Sequence, residues 1–325
     1  MSFKLMNSCH YTSETAKAFL KENDCELADL VPLKSMTEDE LCEQVKDLDG
    51  IISAGEKWTE KVFQAADHIK IIARTGAGTD TIDKEAATSH GVWVTNTPGA
   101  TSNAVADFAL TLMLATISNL PQRIQDLKDG NWKLVLGREM GSMTLGIVGL
   151  GSIGKMVAKR AKGFGTNVIA FDVYQDPAFA TEHGVKYVSL DELMSQSDII
   201  TIHTDLNEKT QGMIGRKELD LMKSGSYVIN TSRPQVVDKE VLIEKLRSKE
   251  IAGAGIDVHN PAPCSPDDPL ASLDNVIATP WSSYQTQEGI EAMMNMAAKE
   301  IVAVLKGEIP KYAVNSLPEG AAATS

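Results

Sequence analysis

One stretch, TLGIVGLGSIGKMVAKRAKGFG at positions 144–165, carries the residue types that bind a diphosphate. An apolar run, Thr144–Val148, leads into Gly149, Gly151 and Gly154, and helix-forming residues begin inside the same motif. The spacing predicts a strand, a tight turn and a helix. Gly149 permits the turn, Gly151 lets a diphosphate approach the backbone, and Gly154 lets the helix pack on the strand. Ser152, Ile153 and Gly154 then fall in the first helical turn, where free N–H groups and the helix dipole favour an anion. A second apolar run, Asn167–Phe171, ends at Asp172, roughly 20 residues past the glycines. A carboxylate there accepts hydrogen bonds from both hydroxyls of an adenosine ribose and repels a 2′-phosphate. The following residues, DVYQD, contain no Arg, so the pattern favours NAD over NADP.

The elements that must position this motif alternate short apolar runs with amphipathic stretches, the pattern of βα units around parallel sheets. In the first lobe strands are expected at 3–6, 50–53, 70–73 and 92–94, with helices near 13–21, 37–46, 60–66 and 83–89. Thr37 followed by Glu40 reads as a capping box. A long apolar helix is expected over 101–119, with Pro121 stopping the regular pattern. The segment from Trp132 to Met140 either reaches a neighbouring subunit or forms an ordinary surface loop. The second lobe repeats the rhythm, with strands at 144–148, 167–171, 198–201, 227–230, 253–257 and 276–278. A final helix over 285–305 returns the chain to the first lobe.

Composition bounds the function. A chain of 325 residues with 43% hydrophobic residues has room for two domains with their own cores. The formal net charge of −13 argues against nucleic acid and anionic membrane surfaces as partners and for a soluble, cytoplasmic protein. Cys9, Cys25, Cys42 and Cys264 form no CxxC pair and have no His at ligand spacing, so they read as reduced thiols, with no metal site. No signal peptide and no bilayer-length apolar run are expected.

Several further segments, in order and spacing, resemble the D-isomer-specific 2-hydroxyacid dehydrogenases over nearly the whole chain. They are RTGAGTDTID at 74–83, NTPGATSNAVADFALTLMLA at 96–115 and GLGSIG with Asp172. IHTDLNEKTQG at 202–212, VINTSRPQVVDKEVL at 228–242, GAGIDVHNPAP at 253–263 and NVIATPW at 275–281 follow. The resemblance implies an α/β fold of two Rossmann-like, doubly wound parallel-sheet domains. Residues 1–100 and 281–325 would form a flavodoxin-like substrate domain, with an NAD-binding domain, 101–280, inserted into it. It implies that the backbone N–H groups of Ala77 and Gly78 hold a substrate carboxylate. Arg233 matches the family's catalytic arginine, whose guanidinium forks onto that carboxylate and polarises the neighbouring carbonyl. His203, Thr204, Thr231 and Ser232 match positions lining the cofactor, Asp257 the carboxylate facing the nicotinamide amide, and Trp132 the aromatic of a dimer arm. The partners implied are a small carboxylate substrate and a second copy of the chain in a homodimer.

The pattern breaks where the family keeps its acid and base. The Glu of DVxxxEP is Ala262, and the His of TPH is Trp281. Asp205 stands where Pro is usual, and Pro234 where Gly is usual. An alanine has no titratable group, and an indole N–H cannot shuttle a proton near neutral pH. Losing a positioned general acid costs about 10²–10⁴ in rate. His259, two residues past Asp257, is either a relocated acid/base or an aromatic that only shapes the pocket. His203, His10 and Tyr284 are weaker candidates. Trp281 reads best as a wall of the pocket, stacked on the nicotinamide or on an aromatic substrate. The chain is therefore expected to be an NAD-dependent oxidoreductase acting on CH–OH groups by an altered proton path. The alternatives are a non-catalytic NAD(H)-binding redox sensor or regulatory protein and, less favoured, a lyase or isomerase that keeps bound NAD.

Overall fold

The computed structural model describes residues 2–28 and 37–318. The chain forms two compact units, Met1–Thr101 with Gln285–Ser325, and Ser102–Tyr284.

In the first unit five strands run in parallel. They are β1 (Phe3–Asn7), β2 (Cys25–Ala28), β3 (Gly50–Ser53), β4 (Ile71–Arg74) and β5 (Trp93–Thr95), in the order β2-β1-β3-β4-β5. Helices α1 (Glu14–Glu22), α2 (Glu38–Gln44), α3 (Glu60–Ala65) and α4 (Lys84–Ser89) connect them. Successive strand residues face opposite ways. Ile51 and Ile72 therefore enter one core with Trp58, Val62 and Phe63, while Ile52 and Ile71 enter the other with Leu20, Met294 and Ile301. The last two belong to α12 (Gln287–Leu305). Four helix starts are capped by the side chains the sequence supplies, Thr286 accepting from the Gly289 N–H at the start of α12. Ser13 accepts from the Ala16 N–H, Asp83 from the Ala86 N–H, and Thr37 and Glu40 form the expected capping box.

The second unit holds seven parallel strands in the order β12-β11-β10-β9-β6-β7-β8. These are β6 (Thr144–Val148), β7 (Asn167–Phe171), β8 (Lys186–Tyr187), β9 (Ile199–Ile202), β10 (Ser226–Asn230), β11 (Ile251–Ile256) and β12 (Val276–Ala278). From β6 the chain winds outward through β7 and β8, then crosses back to β9 and winds the other way. The reversal leaves a crevice at the carboxyl ends of β6 and β9, where open α/β sheets bind ligands. One face is covered by α5 (Ser102–Ile117). A Cβ on Gly253 would meet Thr116 at 3.1 Å, and one on Gly255 would meet Leu112 at 3.0 Å, so both glycines admit α5 closely. The core under α5 also takes α7 (Ser152–Lys162) and α8 (Pro177–His183), while α9 (Leu190–Gln196), α10 (Arg216–Asp220) and α11 (Lys239–Arg247) pack in the other core of the sheet. Among the described residues no single helix is long and apolar enough to cross a membrane.

Pro121 does not end regular structure. It sits in the first turn of α6 (Leu120–Lys128), where the missing N–H has no intrahelical partner to lose. Beyond it, Trp132, Leu134 and Leu136 are 89%, 94% and 91% exposed. Two strands carry no readable pattern, β2 (CELA) and β8 (KY). Each is an outer strand pairing with one neighbour, so neither needs a continuous apolar run.

The contact between Gly154 and the turn is the tightest glycine constraint at the motif. A Cβ there would lie 2.1 Å from the Gly149 carbonyl oxygen, which is backbone and cannot swing away. Gly154→Ala should force α7 off β6 and cost about 1–3 kcal/mol, the range for overpacking. Urea unfolding measures this, and an unchanged midpoint would show that the helix does not need that approach.

Candidate functional site

The glycine turn lies at the crevice of the second unit. Gly149 has φ 93° and donates its N–H to the Phe171 carbonyl at 2.9 Å. A Cβ at Gly149 would meet the His203 and Thr204 backbone at 2.8–2.9 Å, so the turn after β6 presses against the loop after β9. Gly151 caps α7, and a Cβ there would meet nothing within 4 Å. Its side-chain direction opens on free space, as an approaching diphosphate requires. Ser152, Ile153 and Gly154 form the first turn of α7. Asp172, just past β7, is half-buried, and its Oδ2 accepts from the Leu150 N–H at 2.7 Å. Its Oδ1 accepts from the Tyr174 N–H at 2.8 Å. The carboxylate thus braces the glycine turn while keeping further acceptor capacity.

The loops after β9 and β10 bring polar atoms to the same end of the sheet. Thr204 Oγ1, Thr231 Oγ1 and His203 Nδ1 are buried without a hydrogen-bond partner. Orphaned groups of this kind cost free energy unless a ligand satisfies them. His203 Nε2 lies 2.9 Å from Thr201 Oγ1. Burial holds its pKa down at about 3, so the ring is neutral at physiological pH and does not act as a general acid. After β10, the buried Asn230 amide pins the next turn at both ends. Its Oδ1 accepts from the Ser232 N–H at 3.0 Å and Oγ at 3.1 Å, and its Nδ2 donates to the Arg233 carbonyl at 3.0 Å. That turn carries Arg233, whose Nη1 donates to the Ser232 carbonyl at 3.0 Å. The Arg233 Cζ lies 5.7 Å from the centroid of the Trp281 ring.

Asp257 directly follows β11 and bonds to the loop beyond β12. It is 0% exposed and holds the segment that carries Trp281. Its Oδ1 accepts from Thr279 Oγ1 at 2.7 Å and the Ser282 N–H at 2.8 Å, and its Oδ2 from the Ser283 N–H at 2.9 Å. Those bonds fix Trp281 in the left-handed region, at φ 56°, a conformation costly for a bulky residue. The Thr279 carbonyl takes the Trp281 N–H at 2.9 Å and lies 2.8 Å from His259 Nε2. A carbonyl only accepts, so His259 Nε2 carries the hydrogen and spends it there. His259 is 9% exposed. Ala262 is exposed in the loop beyond it.

In the first unit, Ala77 and Gly78 follow β4. Their N–H groups make no hydrogen bond among the described residues, while the Ala77 carbonyl accepts from Asn96 Nδ2 at 2.7 Å. A polar cluster that the sequence reading missed stands beside them at the carboxyl ends of β1, β3 and β4. Ser53 Oγ donates to Glu56 Oε2 at 2.6 Å, and Glu56 Oε1 is buried without a hydrogen bond. Tyr11 donates to Thr75 Oγ1 at 3.1 Å, and Cys9 Sγ lies 3.4 Å from the same oxygen. Burial pushes the Cys9 thiol up to about 11, so it is an inert thiol. The only signal was an acidic residue shortly past the apolar GIIS strand.

Comparison with known proteins matches residues 110–283 to the model of the "D-isomer specific 2-hydroxyacid dehydrogenase, NAD binding domain". A glyoxylate reductase from Korarchaeum cryptofilum is 39% identical over 282 residues, 85% of each chain. The structure of the TT0316 protein from Thermus thermophilus superposes with a TM-score of 0.89 at 33% identity, covering 96% of this chain and 99% of that one. An acyclic imino acid reductase in complex with NADPH and D-Arg gives a TM-score of 0.84 at 26% identity, covering 96% and 99%.

The neutral His203 makes stability depend on pH. Its pKa lies near 3 when folded, against an ordinary 6.5. As pH falls, the unfolded chain binds the proton first. Stability is therefore full above 6.5 and is lost between there and about 3. Between pH 7 and pH 5 this single group should cost about 2 kcal/mol. Urea unfolding of the protein and of His203→Gln at both pH values tests it; equal pH dependence in the two would contradict the buried neutral ring.

Proposed function

The chain belongs to the D-isomer-specific 2-hydroxyacid dehydrogenase family, and on that premise we propose which of its residues handle which ligand. The second unit matches the family's NAD-binding domain. NAD(H), when bound, supplies or accepts the hydride. Gly151, Ser152, Ile153 and Gly154 receive the diphosphate, with Gly149 shaping the turn. Asp172 receives the ribose hydroxyls. His203, Thr204, Thr231 and Ser232 line the nicotinamide half, and Trp281 stacks beside it. The support for this fit is local: Gly151 opens on free space, and three buried polar atoms near the same crevice lack partners.

The first unit is proposed as the substrate domain, where the free N–H groups of Ala77 and Gly78 hold a small carboxylate. In the second unit, Arg233 is proposed to fork onto a substrate carboxylate and orient the carbon beside it. The relatives' names include reduction of a carbonyl, by glyoxylate reductase, and of an imine, by the imino acid reductase. The class proposed is hydride transfer at a carbon next to a carboxylate, between a 2-hydroxy acid and its 2-oxo acid in the first instance. The protein is proposed to be cytoplasmic and homodimeric, the second copy covering Leu127, Trp132, Leu134 and Leu136, all exposed here.

The observation that carries the catalytic reading is Arg233, pinned by Asn230 and placed over Trp281. Arg233→Ala should leave the NADH dissociation constant within about threefold and lower kcat/KM for 2-oxo acids by about 10²–10³, the cost of losing one aimed donor. Arg233→Lys should recover little, since an ammonium lacks the fork. NADH fluorescence titration and absorbance at saturating NADH measure both. An Arg233→Ala protein of undiminished activity would remove this assignment.

A further inference from the structure

Among the described residues, the two positions where the family keeps its acid and its partner carry no titratable group. Position 281 is an indole and position 262 an exposed alanine. His203 is held neutral by burial. His259 has its Nε2 hydrogen committed to the Thr279 carbonyl. What stands at 281 is an aromatic face, and that face already takes a cation, with the Arg233 guanidinium carbon 5.7 Å from its centroid. An aromatic face in place of an imidazole cannot protonate an alkoxide, but it stabilises positive charge.

Resting on the dehydrogenase reading above, we propose that the preferred substrate is the iminium of a small 2-oxo acid, formed with ammonia or a primary amine, and the product a 2-amino acid. The chemistry balances without a protein acid. The iminium carbon accepts the hydride given up as NADH becomes NAD⁺, a C–H bond forms, and the C=N π pair withdraws onto nitrogen as a lone pair. The neutral amine then takes its proton from water after the hydride step. The bare 2-oxo acid would instead leave an alkoxide that has to be protonated as it forms. Arg233 then serves the carboxylate alone, since a cationic nitrogen accepts no hydrogen bond, and the nitrogen faces the Trp281 ring.

The test uses the full-length protein with glyoxylate or pyruvate and NADH, with and without ¹⁵N-ammonium or methylamine at pH 9. NADH consumption should rise by about 10² or more with the amine, the deficit expected of carbonyl reduction without its acid. Mass spectrometry should find the nitrogen label in the product. In the NAD⁺-loaded protein, calorimetry should show the 2-amino acid binding at least tenfold tighter than the matching 2-hydroxy acid. Trp281→His with Ala262→Glu should raise reduction of the bare 2-oxo acid and erase the amine dependence. Bare 2-oxo acid reduced within about tenfold of the amine-supplemented rate, or an unlabelled product, overturns the proposal while leaving the dehydrogenase reading intact. NADH binding with no turnover of either mixture overturns it as well. Failure of NADH to bind at all would instead remove the reading beneath it.

Discussion

The arrangement of the second unit's site depends on one buried carboxylate. Asp257 sits just past the end of β11 with no exposure to solvent. A buried anion is tolerable only when its oxygens are occupied by donors, and here Thr279, Ser282 and Ser283 occupy them. The consequence propagates outward. With Ser282 and Ser283 tethered, the backbone at 281 must take a left-handed turn, which aims the indole. With Thr279 tethered, its carbonyl is placed to engage His259. With the indole aimed, the Arg233 side chain has a face to lie against. Four residues that the sequence suggests for separate roles are thus mechanically one assembly.

Much of the sheet architecture was legible because both faces of these strands are buried. Thr144–Val148 and Asn167–Phe171 read as continuous apolar runs and occupy those positions. The glycine spacing also translated directly into geometry, because each glycine answers a separate steric demand: a positive φ, an open approach or a close backbone contact. What escaped were short outer strands. Lys186–Tyr187 needs only one neighbour and little burial, so its composition is that of a loop. Pro121 misled for a related reason. The residue that ends helices is also the one best suited to begin them, and only the position of the first turn distinguishes the two.

The site was legible by residue type more than by employment. Asp257 reads as a ligand-facing carboxylate, and its oxygens also hold Thr279 and the backbone of Ser282 and Ser283, donors that lie far from it in the chain. His259 reads as either a relocated acid/base or an aromatic that shapes the pocket, and its Nε2–H donates to the carbonyl of Thr279, far along the chain. Asn230 and Glu56 went unnoticed because an amide and an acid after apolar strands look ordinary until their partners are known. Their contacts are set by strand order, which brings the ends of β9, β10 and β11 together in one unit and those of β1, β3 and β4 in the other.

The bond between Asp172 and the Leu150 N–H joins two properties that are usually treated as separable. The residue that would discriminate between the two dinucleotides also stiffens the turn that cradles either of them. A lineage drifting toward the phosphorylated coenzyme could not simply discard this acid, because the turn would lose its brace in the same step. Any such drift has to pass through a second change that first rebuilds the brace, and that requirement makes coenzyme preference in this chain slow to evolve.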